Sequence, residues 1–263
     1  MFTRRRLGAA LLASVLAAAA AVPGPAIAEE PPVIAAASDL RFAVEEIAAA
    51  FTAETGHELR LSFGSTGNFA RQIREGAPFE MFMAADEHFI LELARDGFTR
   101  DEGALYAEGR VAIAIPNTGS QLTADGTLED LRRALGEGRV TRFAIANPDH
   151  APYGMRAQEA LQHEGLWQGI EPYLVLGENV SQAAQLALSG STDGGIIAWS
   201  LALSPQLQPQ GSFALIPADW HEPLLQRMAL LRDAGPVAEA FYDFIQQPAA
   251  REIMTRYGFT LPD

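Results

Sequence analysis

Strands that alternate with helices along nearly the whole chain predict an α/β protein, with mostly parallel sheets covered by helices on both faces. Three observations carry that prediction. Short apolar runs at residues 33–37, 59–63, 79–84, 111–115, 142–146, 173–176 and 194–200 read as buried strands. Amphipathic stripes lie between many of them and end at Gly56, Gly76, Gly97 and Gly165. No fixed-period repeat and no Gly/Ser-rich linker divides the chain, so two lobes would have to be joined by strands that cross between them.

The first residues read as an address. Arg4, Arg5 and Arg6 form a basic region, residues 7–22 an apolar one, and Ala26-Ile27-Ala28 a small-x-small cleavage site. Cleavage near Ala28 and export to the periplasm are therefore expected. Thr3-Arg4-Arg5 keeps a twin-arginine route open beside ordinary Sec export. Taking 28 residues from 263 leaves 235, enough for one large domain or two lobes. With no cysteine, the core must hold without disulfides in an oxidising compartment. The net charge of −14 falls to about −17 once three arginines and no acid are removed. Every Lys/Arg cation is Arg. Such a surface argues against nucleic acid as a partner but not against a small anion, whose site is set by local dipoles.

In chain order, residues 33–37 form the first strand and Ser38-Asp39 opens a helix whose inner stripe is Leu40, Val44, Ile47 and Phe51. Ser38 fits an N-cap, or offers its hydroxyl to a ligand. The second strand runs into Gly64-Ser65-Thr66-Gly67, and a helix follows with Phe69 and Ile73 on one face. Residues 79–84 form a strand and 86–94 a helix. Next come a strand at 111–115, a helix at 128–135 and a strand at 142–146. Two prolines stiffen the loop Asn147-Pro148-Asp149-His150-Ala151-Pro152, and a helix starts near Tyr153 or Gly154. After a strand at 173–176, Glu178-Asn179-Val180 starts another helix, followed by a strand at 194–200. Residues 213–216 and 228–231 are further strands, and one helix at 237–257 closes the chain.

Four strand-to-helix junctions stand out: Ser38-Asp39, Ser65-Thr66, Tyr153-Gly154 and Asn179-Val180. In parallel α/β sheets such junctions lie at the carboxyl ends of strands, where ligands bind. They supply hydroxyls and unpaired first-turn amides, a donor set that holds an anion without a cation. Periodicity and spacing reach no further than a secreted α/β binding protein or enzyme.

The segments AAASDL at 35–40, FGSTGNFARQIREGAPFEMFMAADE at 63–87, IANPDHAPYGMRAQEAL at 145–161, GENVSQAAQLAL at 177–188 and YGFTLP at 257–262 resemble the periplasmic molybdate-binding proteins of ABC transporters. The resemblance implies a two-lobed type II periplasmic binding fold, with lobe 1 at 29–109 and 232–263 and lobe 2 at 110–231. It implies binding of molybdate and tungstate without catalysis or cofactor, delivery to a membrane permease, and a monomer. It places the oxyanion on Ser38, the amide of Asp39, Ser65 and Thr66, Tyr153 and the backbone of Val180, with no cation site for a metal. Which of Ser65 and Thr66 makes the main contact stays open. Some members use a Tyr on the strand near 196–199, where this chain has Ala198, and carry a small residue at the position of Tyr153. The phenol of Tyr153 is then expected to reach the anion from the loop instead. The side chain of Asp39 would repel a dianion, so it is expected to turn toward the helix N-terminus or solvent. In the alternative it accepts a hydrogen bond from a protonated guest such as hydrogen phosphate.

Two other readings remain. The same fold could take phosphate or sulfate. A secreted serine hydrolase could use Ser65 or Ser38 with His150, although no G-x-S-x-G elbow is present and His150-Asp149 sits in a Pro-flanked loop that explains both. Arg71 and Arg74 read as solvated or paired with acids such as Glu75. Trp167, Trp199 and Trp220 read as core or rim.

Overall fold

Ten strands sort into two five-stranded sheets in the computed structural model of the chain, which describes residues 30–262. The expected export segment and cleavage site lie outside those residues. The strands are β1 Val33–Ala37, β2 Arg60–Gly64, β3 Met81–Ala84, β4 Ala104–Gly109, β5 Val111–Pro116, β6 Phe143–Ala146, β7 Leu174–Gly177, β8 Gly194–Ala198, β9 Gly211–Leu215 and β10 Leu224–Leu230. The helices are α1 Arg41–Thr55, α2 Thr66–Arg74, α3 Glu87–Arg95, α4 Glu129–Gly136, α5 Pro152–His163, α6 Trp167–Ile170, α7 Val180–Leu188, α8 Trp199–Ala202, α9 Pro236–Ile245 and α10 Pro248–Arg256. One sheet has the order β2-β1-β3-β10-β4 and the other β7-β6-β8-β5-β9.

The parallel pairs are β1 with β2 and β3, and β6 with β7 and β8. The strands that carry the chain from one sheet to the other, and their pairings, are antiparallel: β10 lies between β3 and β4, and β5 between β8 and β9. The chain crosses first at Arg110, between β4 and β5, and returns between β9 and β10. The Arg110 guanidinium donates to the carbonyl of Ile216 at 3.1 Å and ties the two crossings together. Because β10 belongs to the first sheet, the return crossing falls before Leu224, not at the expected boundary at 231.

Three further elements differ from the sequence expectation. β4 replaces what had read as a connection, since its alternation is half-hidden by glycine and polar residues. The closing helix is two helices, because Pro248 at the first position of α10 has no N–H with which to continue α9. The apolar run at 194–200 stops as a strand at Ala198, and Trp199 begins a short helix that carries Ser200 inward.

Each sheet is covered by the apolar faces of its helices. In the first, Phe51 of α1 meets Phe241 and Phe244 of α9 edge-on, with ring centroids 5.3 and 5.5 Å apart. In the second, Ala183, Ala184 and Ala187 of α7 are fully buried, a run of small side chains that lets the helix lie close to β6 and β8. The carboxyl ends of β1, β2, β3, β6 and β7 lead into the residues of the site.

Candidate functional site

Six residues expected from the sequence line one small cavity: Ser38, Asp39, Ser65, Thr66, Tyr153 and Val180. Backbone and small side chains of Ala37, Gly64, Ala85, Ala151 and Pro152 fill the wall between them. All six are buried. Asp39 is the one ionisable carboxylate in the lining, and no Arg is part of it.

The two sheets contribute opposite walls. Ser38 and Asp39 leave β1 in a short 3-10 turn, and Ser65-Thr66 leaves β2 and opens α2. From the other sheet, Tyr153 is the second residue of α5 and Val180 the first of α7. The amides of Thr66, Tyr153 and Val180 are thus first-turn N–H groups, which have no acceptor within their own helices. Gly154 lets α5 start this close to its strand, because a Cβ there would stand 2.2 Å from the carbonyl oxygen of Ala146.

Several contacts across the cavity are hydrogen bonds between neutral groups. Ser181 of α7 donates its amide to Ser38 Oγ at 3.3 Å and its hydroxyl to the Ser38 carbonyl at 2.8 Å. Ser38 therefore caps an orphan amide as its residue type suggests, but on the opposite helix; its own turn shows no side-chain cap. The Ser200 hydroxyl donates to the Asp39 carbonyl at 2.8 Å. Ser65 Oγ and His150 Nδ1 lie 2.9 Å apart, and the Gly67 amide donates to the His150 carbonyl at 2.9 Å. Thr66 Oγ1 accepts from the Ala85 amide at 3.1 Å, which leaves its hydroxyl proton to be given elsewhere. The two hydroxyls thus differ: Thr66 is tied to its own sheet and Ser65 to the facing loop.

Asp39 does not turn to solvent: it is buried, and beside the amides of its own turn it meets partners from other elements. Its Oδ2 accepts from the Tyr153 phenol at 3.0 Å and from Gln226 Nε2 at 2.7 Å. Gln226 also donates to the Tyr153 oxygen at 3.2 Å, and the Tyr106 phenol donates to Gln226 Oε1 at 2.9 Å. Oδ1 is buried with no partner. Burial pushes the carboxyl up to about 6, against the opposing hydrogen bonds from Gln226, Tyr153 and the backbone amides of Asp39 and Leu40. Burial and the nearby Asp39 charge hold both phenols well above their ordinary range, so they stay neutral donors. The single phenolic proton of Tyr153 is committed to Asp39, so the expectation that this phenol substitutes for the missing Tyr at Ala198 does not fit the geometry. Gly109 is shaped to this network: a Cβ there would meet the Tyr153 oxygen at 2.2 Å.

Sequence reasoning missed Gln226, Tyr106, Ser181 and Ser200. Gln226 has a sequence signal, a polar residue inside the apolar run Leu224–Leu230, but the strand expected at 228–231 does not reach it. At the rear edge, Arg156 Nη2 bonds Asp86 Oδ2 at 2.8 Å across the two lobes, and its Nη1 bonds Glu159 at 2.6 Å.

The sequence pattern of the bacterial extracellular solute-binding proteins matches residues 32–260. The chain belongs to that family. Solute-binding proteins capture and do not catalyse, so the Ser65–His150 pair is a contact between walls, not half of a hydrolytic triad. The chain is 34% identical to the molybdate-binding protein ModA of Rhodobacter capsulatus, over 97% of this chain and 96% of the relative. It is 33% identical to ModA of Azotobacter vinelandii, over 99% of each. Among solved structures, the Azotobacter vinelandii periplasmic molybdate-binding protein superposes with a TM-score of 0.78 at 27% identity, covering 88% of this chain and all of that one. The sulfate-binding protein SubI of Mycobacterium tuberculosis shares the fold, with a TM-score of 0.71 at 15% identity, 89% of this chain and 87% of that one.

Proposed function

We propose that this solute-binding protein captures molybdate, and tungstate with it, in the periplasm and hands it as a monomer to the permease of an ABC importer. The relatives named above are called molybdate-binding proteins and match nearly end to end. The observation that carries the reading is the convergence of Ser38, Ser65, Thr66, Tyr153 and Val180, drawn from both sheets, on one cavity without a cation. Hydroxyls and first-turn amides are the donors for a tetrahedral dianion. A charge-assisted hydrogen bond contributes roughly 1.5–3 kcal/mol. Five such donors give roughly 7.5–15 kcal/mol before ordering costs, the same order as the about 8 kcal/mol net that micromolar binding needs. Molybdate and tungstate share charge and shape, so such a site holds both.

Thermal unfolding with molybdate, tungstate, sulfate and phosphate tests this. A ligand that binds only the folded state at about a thousandfold above its Kd adds about 4 kcal/mol. Molybdate and tungstate are expected to raise the Tm alike, and sulfate far less. Equal shifts with sulfate and molybdate overturn the molybdate assignment.

A further inference from the structure

We propose that Asp39 is a proton-uptake group of the oxyanion site: its Oδ1 takes a proton from solvent when a dianion enters, and the neutral acid donates that proton to the anion. This rests on the cavity being an oxyanion site and goes beyond it, by fixing a proton as the second guest.

Three observations point there. Asp39 lines the cavity, is 2% exposed, and sits beside the Ser38 hydroxyl. Its Oδ2 is already filled by the donors of Tyr153 and Gln226, whereas Oδ1 is buried and unpartnered. No cation answers the carboxylate. The groups packed around it are the Tyr106 phenol of β4, the Tyr153 phenol of α5, the Gln226 amide of β10, the Ser200 hydroxyl of α8 and, through Ser38, Ser181 of α7. On α1 the nearest charge, Arg41, pairs with Glu45 at 3.4 Å on the exposed face. A dianion that enters this wall meets a second negative charge at close range in a poorly solvated site, which favours protonation of one of the two. Burial, outweighing the hydrogen bonds it receives, already pushes the carboxyl up to about 6. Oδ1 is the oxygen open to a proton, because Oδ2 already accepts two hydrogen bonds. The other titratable group on the rim is His150, bonded to Ser65 and 3.8 Å from Glu178, so the test must separate it from Asp39.

Isothermal titration of molybdate at pH 7.0 and 8.5, in pairs of buffers with different ionisation heats, reads the protons taken up per anion. The wild type is expected to take up about one proton at both pH values and to bind about thirtyfold more weakly at pH 8.5. Asp39→Asn keeps the acceptor for Tyr153 and Gln226 and fixes an N–H donor at the Oδ1 position. It is expected to take up none and to hold its affinity within about twofold across that range. Tyr153→Phe removes a donor from Oδ2, strengthens proton binding, and moves the onset of affinity loss to higher pH; it serves if Asp39→Asn fails to fold. Wild-type binding with no proton uptake overturns the proposal. Undiminished uptake in Asp39→Asn also overturns it and assigns the proton to His150. Absence of heat with molybdate, tungstate and sulfate at both pH values overturns the oxyanion function itself, and this proposal with it.

Discussion

The floor of the cleft and its rear edge join the same two lobes by opposite means. At the floor, Ser181, Ser200 and Tyr153 reach across with neutral donors, and the one charge present, Asp39, has no cation to answer it. At the rear edge, Arg156 grips Asp86 of the facing lobe at 2.8 Å and Glu159 of its own helix at 2.6 Å, and Glu159 in turn accepts from the Glu222 amide at 2.8 Å. The difference teaches where each kind of contact serves. A cation at the floor would bind any anion, whereas dipoles held at fixed places select by shape and charge count. Ion pairs are kept at the edge, where they hold the lobes in register without touching the guest.

Removing the edge contact is the largest way to test that division. Arg156 and Asp86 have side chains only 11% and 15% exposed. Arg156→Met leaves Asp86 and Glu159 partly buried without their cation, for which breaking one partner of a buried pair costs about 3 kcal/mol. Urea unfolding of the anion-free protein is expected to show that loss. A change below about 1 kcal/mol would place the pair among ordinary surface pairs and remove the contrast.

The floor gives the opposite sign. Asp39 titrates near 6 in the folded protein against 3.8 for a free carboxyl. The folded state therefore holds the proton more tightly, and the stability this gives is full below pH 4 and lost as pH rises through 6. That gap is worth about 3 kcal/mol as an upper figure. Asp39→Asn is expected to unfold at a higher temperature than the wild type at pH 7.5, with the difference closing toward pH 4. Equal melting at both pH values would show that the carboxylate is solvated after all.

Thr66→Val comes next. Its Oγ1 is the acceptor for the buried Ala85 amide. Loss of that acceptor is expected to destabilise the protein by about 1–2 kcal/mol and to weaken molybdate binding as well. Ser65→Ala, which touches only the facing loop through His150, is expected to weaken binding with little change in stability. Similar stability losses for both would erase the distinction between the two hydroxyls.

The same contrast explains what could be read from the residues alone. The junctions Ser38-Asp39, Ser65-Thr66, Tyr153-Gly154 and Asn179-Val180 announce themselves by local chemistry, since a strand end, a small donor and a helix start are adjacent in the chain. Their convergence on one cavity comes from the packing of the two sheets, which alternation of strands and helices does not give. The partner of Asp39 is another matter. Tyr106, Tyr153 and Gln226 are separated by as many as 120 residues, and no local pattern ties them. Arg156 and Asp86 are likewise 70 residues apart. β4 and the break at Pro248 were missed for different reasons: the first has a weak apolar alternation, and in the second a helical stripe continues across a residue that cannot continue the helix.

The smallest effect bears on the whole contrast. Arg71 lies on α2, nearly two turns past the Ser65 junction, and reads from the sequence as solvated or paired with acids such as Glu75. Its side chain is 66% exposed and only loosely paired with Glu75 at 4.0 Å. Its neighbour Arg74 is engaged by Asp96 at 3.0 Å and Glu92 at 3.5 Å. A charge that far into water is screened over about 8 Å at physiological salt. Arg71→Gln is therefore expected to change the molybdate Kd by less than about twofold, at both about 20 mM and about 300 mM salt. A tenfold loss confined to low salt would show that surface cations recruit the anion, and the floor's neutral donors would then be sharing a task that their geometry now assigns to them alone.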